Sequence, residues 1–260
     1  MHRRLILTLA CLLAACKRAP VAAQASPAGP AHVYAGTVER GKAITSSITG
    51  VTYPFHLYLP AGYATSDRRY PVLYSTDAQW SFPAFSRMLD QRGKPMILVG
   101  IEQGGDDRRA IDFKPDGAPA YARFLKEELV PLIERSYRTT GVRSYTGTSL
   151  GGLLGALMLS TESTYRPFFS NYLLFDGSFG WLGRRHIEAE EARLAASHEL
   201  PVKLILTGAT HRGNAGVTAR LEARYKGRPY RGLQIFRKDF DVDHESVGDP
   251  SFDWAIDLVD

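Results

Sequence analysis

The chain has 260 residues and a formal net charge of +5, and 44% of its residues are hydrophobic and 23% are charged. These values are ordinary for a globular protein and exclude a disordered, collagen-like or coiled-coil chain. The lysines and arginines are scattered rather than gathered in one basic run. The sequence therefore gives no support for nucleic-acid binding.

Residues 1–15 have the pattern of a signal peptide: a short basic start is followed by an apolar run that is too short to span a bilayer. Two cleavage sites compete. The segment 13–16 resembles the lipobox of bacterial lipoproteins, in which Cys16 would carry the lipid, whereas the segment 23–25 resembles an ordinary A-x-A site. We favour the lipobox. Either site predicts an exported protein, periplasmic or anchored to a membrane through Cys16.

Residues 16–32 are rich in alanine and proline and have no periodic pattern, which predicts a flexible tether. We place one folded domain at residues 33–260, a length that suits a single α/β core. Both cysteines, Cys11 and Cys16, lie in or beside the leader. The domain is therefore expected to fold without disulfides.

Short apolar runs alternate with helix-like segments along the domain. Strands are predicted at residues 53–59, 72–76, 96–101, 142–146, 172–175, 202–207 and 233–236, and helices at 124–133, 150–159, 187–197, 217–225 and 252–259. Pro131 is expected to kink the first of these helices. The alternation predicts an α/β fold with a mostly parallel central sheet flanked by helices on both faces.

The segment 147–151, with the sequence GTSLG, matches the pattern G-x-S-x-G. A predicted strand runs directly into this segment and an apolar helix leaves it, which is the strand–turn–helix context of a nucleophile elbow. The flanking glycines allow a sharp turn and close packing of strand against helix. We therefore predict Ser149 as a nucleophile. The alternative is a glycine-rich turn that merely caps a helix.

A serine hydroxyl is a poor nucleophile at neutral pH and needs a base. In folds with this elbow the histidine follows the last strand, and His244 lies there, within the acidic segment 241–245. The other six histidines lie in the leader, the tether, an early strand, beside helix 187–197 or after the strand 202–207. His244 is the predicted base. Its acidic neighbours lack metal-ligand spacing, so we expect neither a metal nor another cofactor.

Seven short segments carry a family resemblance in their order and spacing. They are 71–74 (PVLY), 77–80 (DAQW), 109–115 (RAIDFKP), 127–131 (EELVP), 137–139 (YRT), 147–152 (GTSLGG) and 243–247 (DHESV). With these segments the chain resembles the putative-esterase family of α/β hydrolases, which includes ferric-enterobactin esterases and relatives of esterase D and of the mycolyltransferases. The resemblance implies an α/β-hydrolase fold and a serine esterase, but no particular substrate.

The resemblance also implies an oxyanion hole. One donor would be the backbone N–H of Leu150, and the second would come from the turn after strand 72–76, near Ala78 or Gln79. Two N–H groups there would stabilise a tetrahedral oxyanion, and the loss of one such donor typically costs about 3 kcal/mol. The alternative interpretation of the segment 77–80 is an ordinary strand-to-helix turn.

The chain departs from the family pattern at three places. Thr148 stands where the family usually has histidine, and Ala78 stands where it usually has glycine. The stretch 208–214 (GATHRGN), where the triad acid is expected, has no carboxylate. The acid is then Asp176 after strand 172–175, Asp241, or absent in a Ser–His dyad. We favour Asp176, although aspartate is equally common as a turn or cap residue.

The leading hypothesis is an exported serine esterase that hydrolyses a small-molecule carboxylic ester through an acyl-enzyme. The resemblance suggests a siderophore trilactone, whose anionic iron–catecholate would meet Arg109, Arg184 or Arg212, with Arg109 preferred. One alternative is an acyltransferase on the same fold, in which a sugar or lipid hydroxyl replaces water. Another is a non-catalytic binding lipoprotein, against which the intact Ser149 and His244 argue.

Overall fold

The computed structural model describes residues 32–163 and 165–259. The predicted signal peptide, both predicted cleavage sites, Cys16 and nearly all of the predicted tether lie outside these residues. In the part of the chain that is described, no helix is both long enough and apolar enough to cross a membrane.

Within the described residues, eight strands form one mixed sheet. They are β1 (Thr37–Thr45), β2 (Thr52–Leu59), β3 (Tyr70–Ser75), β4 (Ile97–Ile101), β5 (Thr139–Thr148), β6 (Asn171–Phe175), β7 (Lys203–His211) and β8 (Gln234–Asp243). Their order across the sheet is β1-β2-β4-β3-β5-β6-β7-β8. Strand β2 pairs antiparallel with β1 and with β4, and every other pairing is parallel.

From β3 onward a helix lies in each connection between strands, and one more follows β8. The helices are α1 (Ala78–Gln91), α2 (Arg108–Asp112), α3 (Ala118–Arg123), α4 (Val130–Ser136), α5 (Leu150–Leu159), α6 (Arg184–Ala196), α7 (Ala215–Lys226) and α8 (Gly248–Ala255). A π-helical turn, Phe124–Leu129, joins α3 to α4. Pro131 therefore lies in the first turn of α4, directly after the π-helical turn.

Each face of the sheet has its own hydrophobic core. On one face, the rings of Phe85 in α1 and Phe252 in α8 stack with their centroids 3.8 Å apart, beside Phe175 of β6. On the other face, Leu154 of α5 packs with Tyr145 of β5 and their neighbours. Strands β4 and β6 are buried at every position, which explains the apolar runs 97–101 and 172–175. The predicted α/β fold with helices on both faces is confirmed.

Four of the parallel strands are followed by a residue that has a positive φ and is not glycine. Asp77 (φ 60°) follows β3, Ser149 (φ 57°) follows β5, Asp176 (φ 44°) follows β6, and Arg212 (φ 47°) follows β7. Side chains disfavour this backbone region, and such residues cluster at functional sites. Because the carboxyl ends of parallel strands share one edge of the sheet, these corners mark that edge as the candidate site.

Candidate active site

Ser149 sits on the sharp turn between β5 and α5, with φ 57° and ψ −114°. Its backbone is held on both sides: its N–H donates to the carbonyl oxygen of Phe175 at 2.9 Å, and its carbonyl oxygen accepts the N–H of Ser178 at 2.9 Å. The turn is so tight that a Cβ on Gly147 would lie 2.5 Å from the carbonyl carbon of Gly151. The glycines of the motif are therefore required by the packing of strand against helix.

His244 follows the last strand and contacts Ser149. Its Nε2 lies 3.0 Å from the Oγ of Ser149, and its Nδ1 lies 2.5 Å from Oδ2 of Asp176. The hydrogen bond to Asp176 raises the pKa of His244 above its usual value, although burial acts in the opposite direction. The imidazole thus stands between a hydroxyl that can give up a proton and a carboxylate that stabilises the charged ring.

Asp176 is fully buried and is held by the end of β7 and by the turn that follows it. Its Oδ1 accepts the backbone N–H groups of Ala209 and Asn214, both at 2.8 Å. The side-chain amide of Asn214 also donates to the carbonyl oxygen of Asp176 at 3.0 Å. These donors fix the orientation of the Asp176 carboxylate. The sequence did not predict Asn214 as a site residue. The signal for it was its position in the stretch 208–214, which lacks the expected acid.

The other candidate acid is placed elsewhere. Oδ1 of Asp241 lies 2.5 Å from Nε2 of His211, and both side chains are exposed. The structure therefore brings Asp176, and not Asp241, to His244. A second serine, Ser178, was also not anticipated; its Oγ lies 3.2 Å from the Oγ of Ser149.

The residues predicted to form the oxyanion hole lie in the first turns of two helices. Leu150 begins α5, and Ala78 and Gln79 begin α1. The first helical bonds of α1 are made by Trp80 and Ser81, which donate to the carbonyl oxygen of Asp77. N–H groups at such positions have no acceptor within their own helix. Their use as oxyanion donors remains a prediction.

A cavity of about 760 Å³ opens beside the reactive groups. Ser149 and His244 line it together with Asp77, Trp80 and Arg109. The Trp80 side chain is 64% exposed, which is a high value for so large an apolar group, and it forms an open wall of the cavity.

Of the three arginines considered for an anionic substrate, Arg109 lines this cavity. Its Nε donates to Oδ1 of Asp77 at 2.7 Å. Arg184 is paired with Glu188 on α6, and Arg212 is paired with Asp243. Among the described residues, no group of three or more His, Cys, Asp or Glu side chains is arranged to hold a metal ion.

Sequence comparison relates this chain to known proteins. A family model with the description "Putative esterase" matches residues 46–177, which is just over half of the chain. The chain belongs to this esterase family. The family predicted from the short segments is therefore confirmed, and with it the prediction of an ester hydrolase. The matched region contains Ser149 and Asp176 and ends before His244.

Solved structures similar to this esterase include the IroE-like serine hydrolase from Shewanella oneidensis, with a TM-score of 0.70 and 24% identity, covering 84% of this chain and 77% of that one. The BES protein from Bacillus cereus has a TM-score of 0.74 and 23% identity, covering 89% and 98%. The siderophore hydrolase EstA from Aspergillus nidulans has a TM-score of 0.70 and 19% identity, covering 92% and 98%. At these identities the likeness establishes the fold. Comparison with curated proteins gave no match.

Proposed function

We propose that this esterase hydrolyses carboxylic esters through an acyl-enzyme on Ser149, with His244 as the base and Asp176 as the acid that orients it. The observation that carries the proposal is the unbroken pair of hydrogen bonds from Ser149 through His244 to Asp176, of 3.0 and 2.5 Å. Nucleophile, base and orienting group in hydrogen-bond contact are the geometric signature of nucleophilic catalysis.

In the first half-reaction, Nε2 of His244 takes the proton of Ser149 while Oγ attacks the ester carbonyl carbon. Negative charge develops on the carbonyl oxygen, where the N–H of Leu150 and one from Ala78 or Gln79 would stabilise it. The charged imidazole then gives its proton to the departing alcohol, and an acyl-serine remains. In the second half-reaction His244 takes a proton from the water that attacks the acyl group. The bond between the acyl carbon and Oγ then breaks, the charged imidazole returns the proton to Oγ of Ser149, and the acid is released.

For the substrate class we propose a siderophore-type ester with anionic aromatic groups. The support is of two kinds. One similar structure, EstA, is described as a siderophore hydrolase. The cavity beside Ser149 also presents an exposed aromatic side chain, Trp80, and one guanidinium, Arg109. We further propose that the protein is exported, through the signal-peptide pattern of residues 1–15, and that Cys16 anchors it to a membrane.

The mechanism is tested by burst-phase hydrolysis of 4-nitrophenyl acetate and butyrate. A burst equal to the enzyme concentration is expected for the wild type and is expected to vanish in Ser149→Ala and His244→Ala. Ser178→Ala is the matched control, because the hydroxyl of Ser178 is a neighbour of Ser149 but contacts no base among the described residues, and this variant should keep the burst. A folded wild type that gives no burst and resists labelling by a fluorophosphonate would refute the proposal.

A separate experiment tests which ester is the preferred substrate and whether water or an alcohol accepts the acyl group. Hydrolysis of a catecholate trilactone is compared with hydrolysis of 4-nitrophenyl butyrate at equal concentration, in the presence and absence of a sugar alcohol. A higher kcat/KM for the trilactone, with free acid as the product in both cases, supports the siderophore proposal. A product that appears only with the added alcohol would instead identify an acyltransferase.

A further inference from the structure

Charge is distributed unevenly between the two ends of the sheet. The segments that lead into strands β3–β8 contain eight lysines and arginines and three acids, and they are 60–69, 92–96, 137–138, 160–170, 197–202 and 227–233. The segments that follow these strands contain one arginine and six acids, and they are 76–77, 102–107, 149, 176–183, 212–214 and 244–247. The edge that carries Ser149 is therefore acidic. The opposite edge, which we call the amino edge, is basic.

Five arginines of the amino edge lie ahead of β3, β5 and β6, which are neighbours in the sheet. This arginine cluster consists of Arg68, Arg69, Arg135, Arg138 and Arg166. Nη1 of Arg69 donates to the carbonyl oxygen of Thr139 at 3.3 Å, and Nε of Arg138 donates to the carbonyl oxygen of Arg68 at 3.4 Å. The fold thus gathers cations that are far apart in the sequence.

The charges of the cluster are not neutralised by acids. Within residues 32–163 and 165–259, no member of the cluster forms an ion pair, whereas Arg231 of the same edge is paired with Glu199. Of the acids beside the cluster in sequence, Glu134 is paired with Arg143 and Asp67 is exposed. Four of the five arginines are exposed as well. Like charges held together repel one another, and an anionic surface against them would relieve that repulsion.

Tyrosine side chains accompany the cluster. Tyr165 precedes Arg166 and is 92% exposed. The guanidinium of Arg138 lies 4.0 Å from the centre of the Tyr63 ring. Tyrosine rings are enriched at the boundary between lipid and water, where their apolar body and polar hydroxyl are both accommodated. Arginine together with exposed tyrosine is therefore a combination that suits lipid headgroups.

The folded unit begins at the same edge. Its first residue is Tyr34, whose ring lies 6.0 Å from that of Tyr58, centre to centre. Tyr58 pairs with Leu98 near the start of β4. The N–H of Gly36 donates to Oδ1 of Asp90, in the last turn of α1, at 2.8 Å. The chain therefore enters the domain at the amino edge.

The cluster is too far from Ser149 to act on the reaction. Strand β5 connects the two edges with ten residues, which span about 30 Å. At physiological salt, exposed charges are largely screened beyond about 8–10 Å. The partner of the cluster is therefore not the ester bound at Ser149.

We propose that the amino edge is a docking surface for an anionic lipid bilayer, with the arginine cluster against the phosphate groups and Tyr165 at the level of the headgroups. The inference rests on the proposed export and attachment through Cys16. An anchor there would hold the edge at which the chain enters the domain near the membrane, and a basic surface would supply the second signal that stable attachment requires. The cavity beside Ser149 then opens away from the bilayer, toward esters in solution.

The experiment measures co-sedimentation of the full chain with vesicles. Every protein carries Cys16→Ser, so that no lipid anchor contributes. Vesicles of equal parts phosphatidylglycerol and phosphatidylcholine are compared with vesicles of phosphatidylcholine alone. Each arginine near an anionic surface strengthens binding by roughly fivefold, so we expect a preference of about 100-fold for the anionic vesicles. The preference should disappear at about 1 M salt, where the screening length is about 3 Å.

A triple variant and a charge-matched control locate the surface. Arg68→Gln/Arg69→Gln/Arg166→Gln should lose at least about tenfold of the preference. Its turnover of 4-nitrophenyl acetate should stay within about twofold, because the cluster is remote from Ser149. The control replaces three exposed arginines of α6 and α7 that lie outside the cluster, Arg184→Gln/Arg185→Gln/Arg220→Gln, and should keep the preference.

Equal binding to both kinds of vesicle would overturn the inference, and so would an equal loss in the control. Retention on heparin that depends on the cluster, without binding to vesicles, would identify a soluble polyanion as the partner and refute the bilayer. If the triple variant does not fold, Arg166→Gln alone should reduce the preference about fivefold, and an unchanged preference would refute the inference. A missing burst would refute only the acyl-enzyme proposal, and an unmodified Cys16 in the exported protein would refute only the anchor.

Discussion

Asn214 donates its backbone N–H to the carboxylate of Asp176 and its side-chain amide to the carbonyl oxygen of the same residue. The turn after β7, which contains no carboxylate, thus supplies donors instead of the acid. The acid comes from the neighbouring strand β6. The residue after β6 therefore supplies the carboxylate that contacts His244, while β7 and the turn after it fix the orientation of that carboxylate.

In the proposed mechanism, the hydrogen bond between Asp176 and His244 sets the pH at which the esterase becomes active. It raises the pKa of His244 above the usual 6.5. Because the base acts only when neutral, kcat/KM should rise with pH, with a midpoint above 6.5. Asp176→Asn should move this midpoint to lower pH and reduce kcat by roughly 10³- to 10⁴-fold. The pH–rate profiles of the wild type and the variant measure both effects.

Asp241→Asn is the matched control for that experiment. Its carboxylate is exposed and bound to His211, so we expect kcat within about twofold of the wild type and no shift of the midpoint. A large loss in Asp241→Asn, together with an active Asp176→Asn, would contradict the assignment of the acid.

The side chain of Asn214 should contribute to turnover by positioning Asp176. Asn214→Ala removes the amide that bonds to the Asp176 carbonyl oxygen but keeps the backbone N–H on Oδ1. The loss of one such hydrogen bond corresponds to at most about a tenfold fall in kcat, with KM unchanged. Steady-state kinetics on 4-nitrophenyl butyrate test this. A variant as active as the wild type would show that the backbone contacts suffice.

Two glycines in helices should respond to alanine in opposite directions. In α5, a Cβ on Gly155 would lie 2.3 Å from Leu174 and 2.8 Å from Tyr145, so Gly155→Ala should lower the free energy of unfolding by about 1–3 kcal/mol. In α7, Gly216 has no neighbour nearer than 4.0 Å, so Gly216→Ala should raise it by up to about 1 kcal/mol. Urea denaturation of both variants provides the measurement. Equal stabilities would contradict the packing of α5 on the sheet.

His186 should make the fold sensitive to acid. Burial, assisted by the charge of Arg224, lowers the pKa of His186 to about 4. Between pH 6.5 and 4 the unfolded chain therefore binds a proton that the folded chain does not. The free energy of unfolding should fall through that window by up to about 3 kcal/mol on this account alone. His186→Leu should show a smaller fall in urea denaturation at pH 7, 5.5 and 4.5. Parallel curves for the two proteins would refute this.

The positions of Ser149 and His244 were accessible from the sequence because each depends on information that the chain carries locally or in its order. The G-x-S-x-G segment lies between a strand and a helix, and His244 follows the last strand. The identity of the acid was harder to predict from the sequence. Whether Asp176 reaches His244 depends on a backbone corner with φ 44° and on donors 33 and 38 residues further along the chain, and no local pattern encodes either.

Strand β1, the second half of β8 and the π-helical turn were not predicted from the sequence, each for a different physical reason. Strand β1 is half-exposed along its length, at the edge of the sheet, and so lacks the alternation that marks a strand. Strand β8 extends to Asp243, whereas the apolar pattern predicted its end at Phe236. The second half of β8 is polar, because the strand lies at the opposite edge of the sheet, and so it carries no apolar pattern. The π-helical turn Phe124–Leu129 has the same apolar spacing as an ordinary helix, so the pattern could not distinguish them.

The left-handed corners at Asp77, Ser149 and Asp176 limit how far this enzyme can be adapted to heat. Glycine would relax each corner, since it adopts these angles freely, but the proposed mechanism needs the side chains of Ser149 and Asp176, and the Asp77 carboxylate forms an ion pair with Arg109. Selection for thermal tolerance therefore has to act on sites that leave these three residues alone, such as open helix positions like Gly216. Variants that gain heat resistance by substitution of Ser149 or Asp176 are expected to have lost turnover.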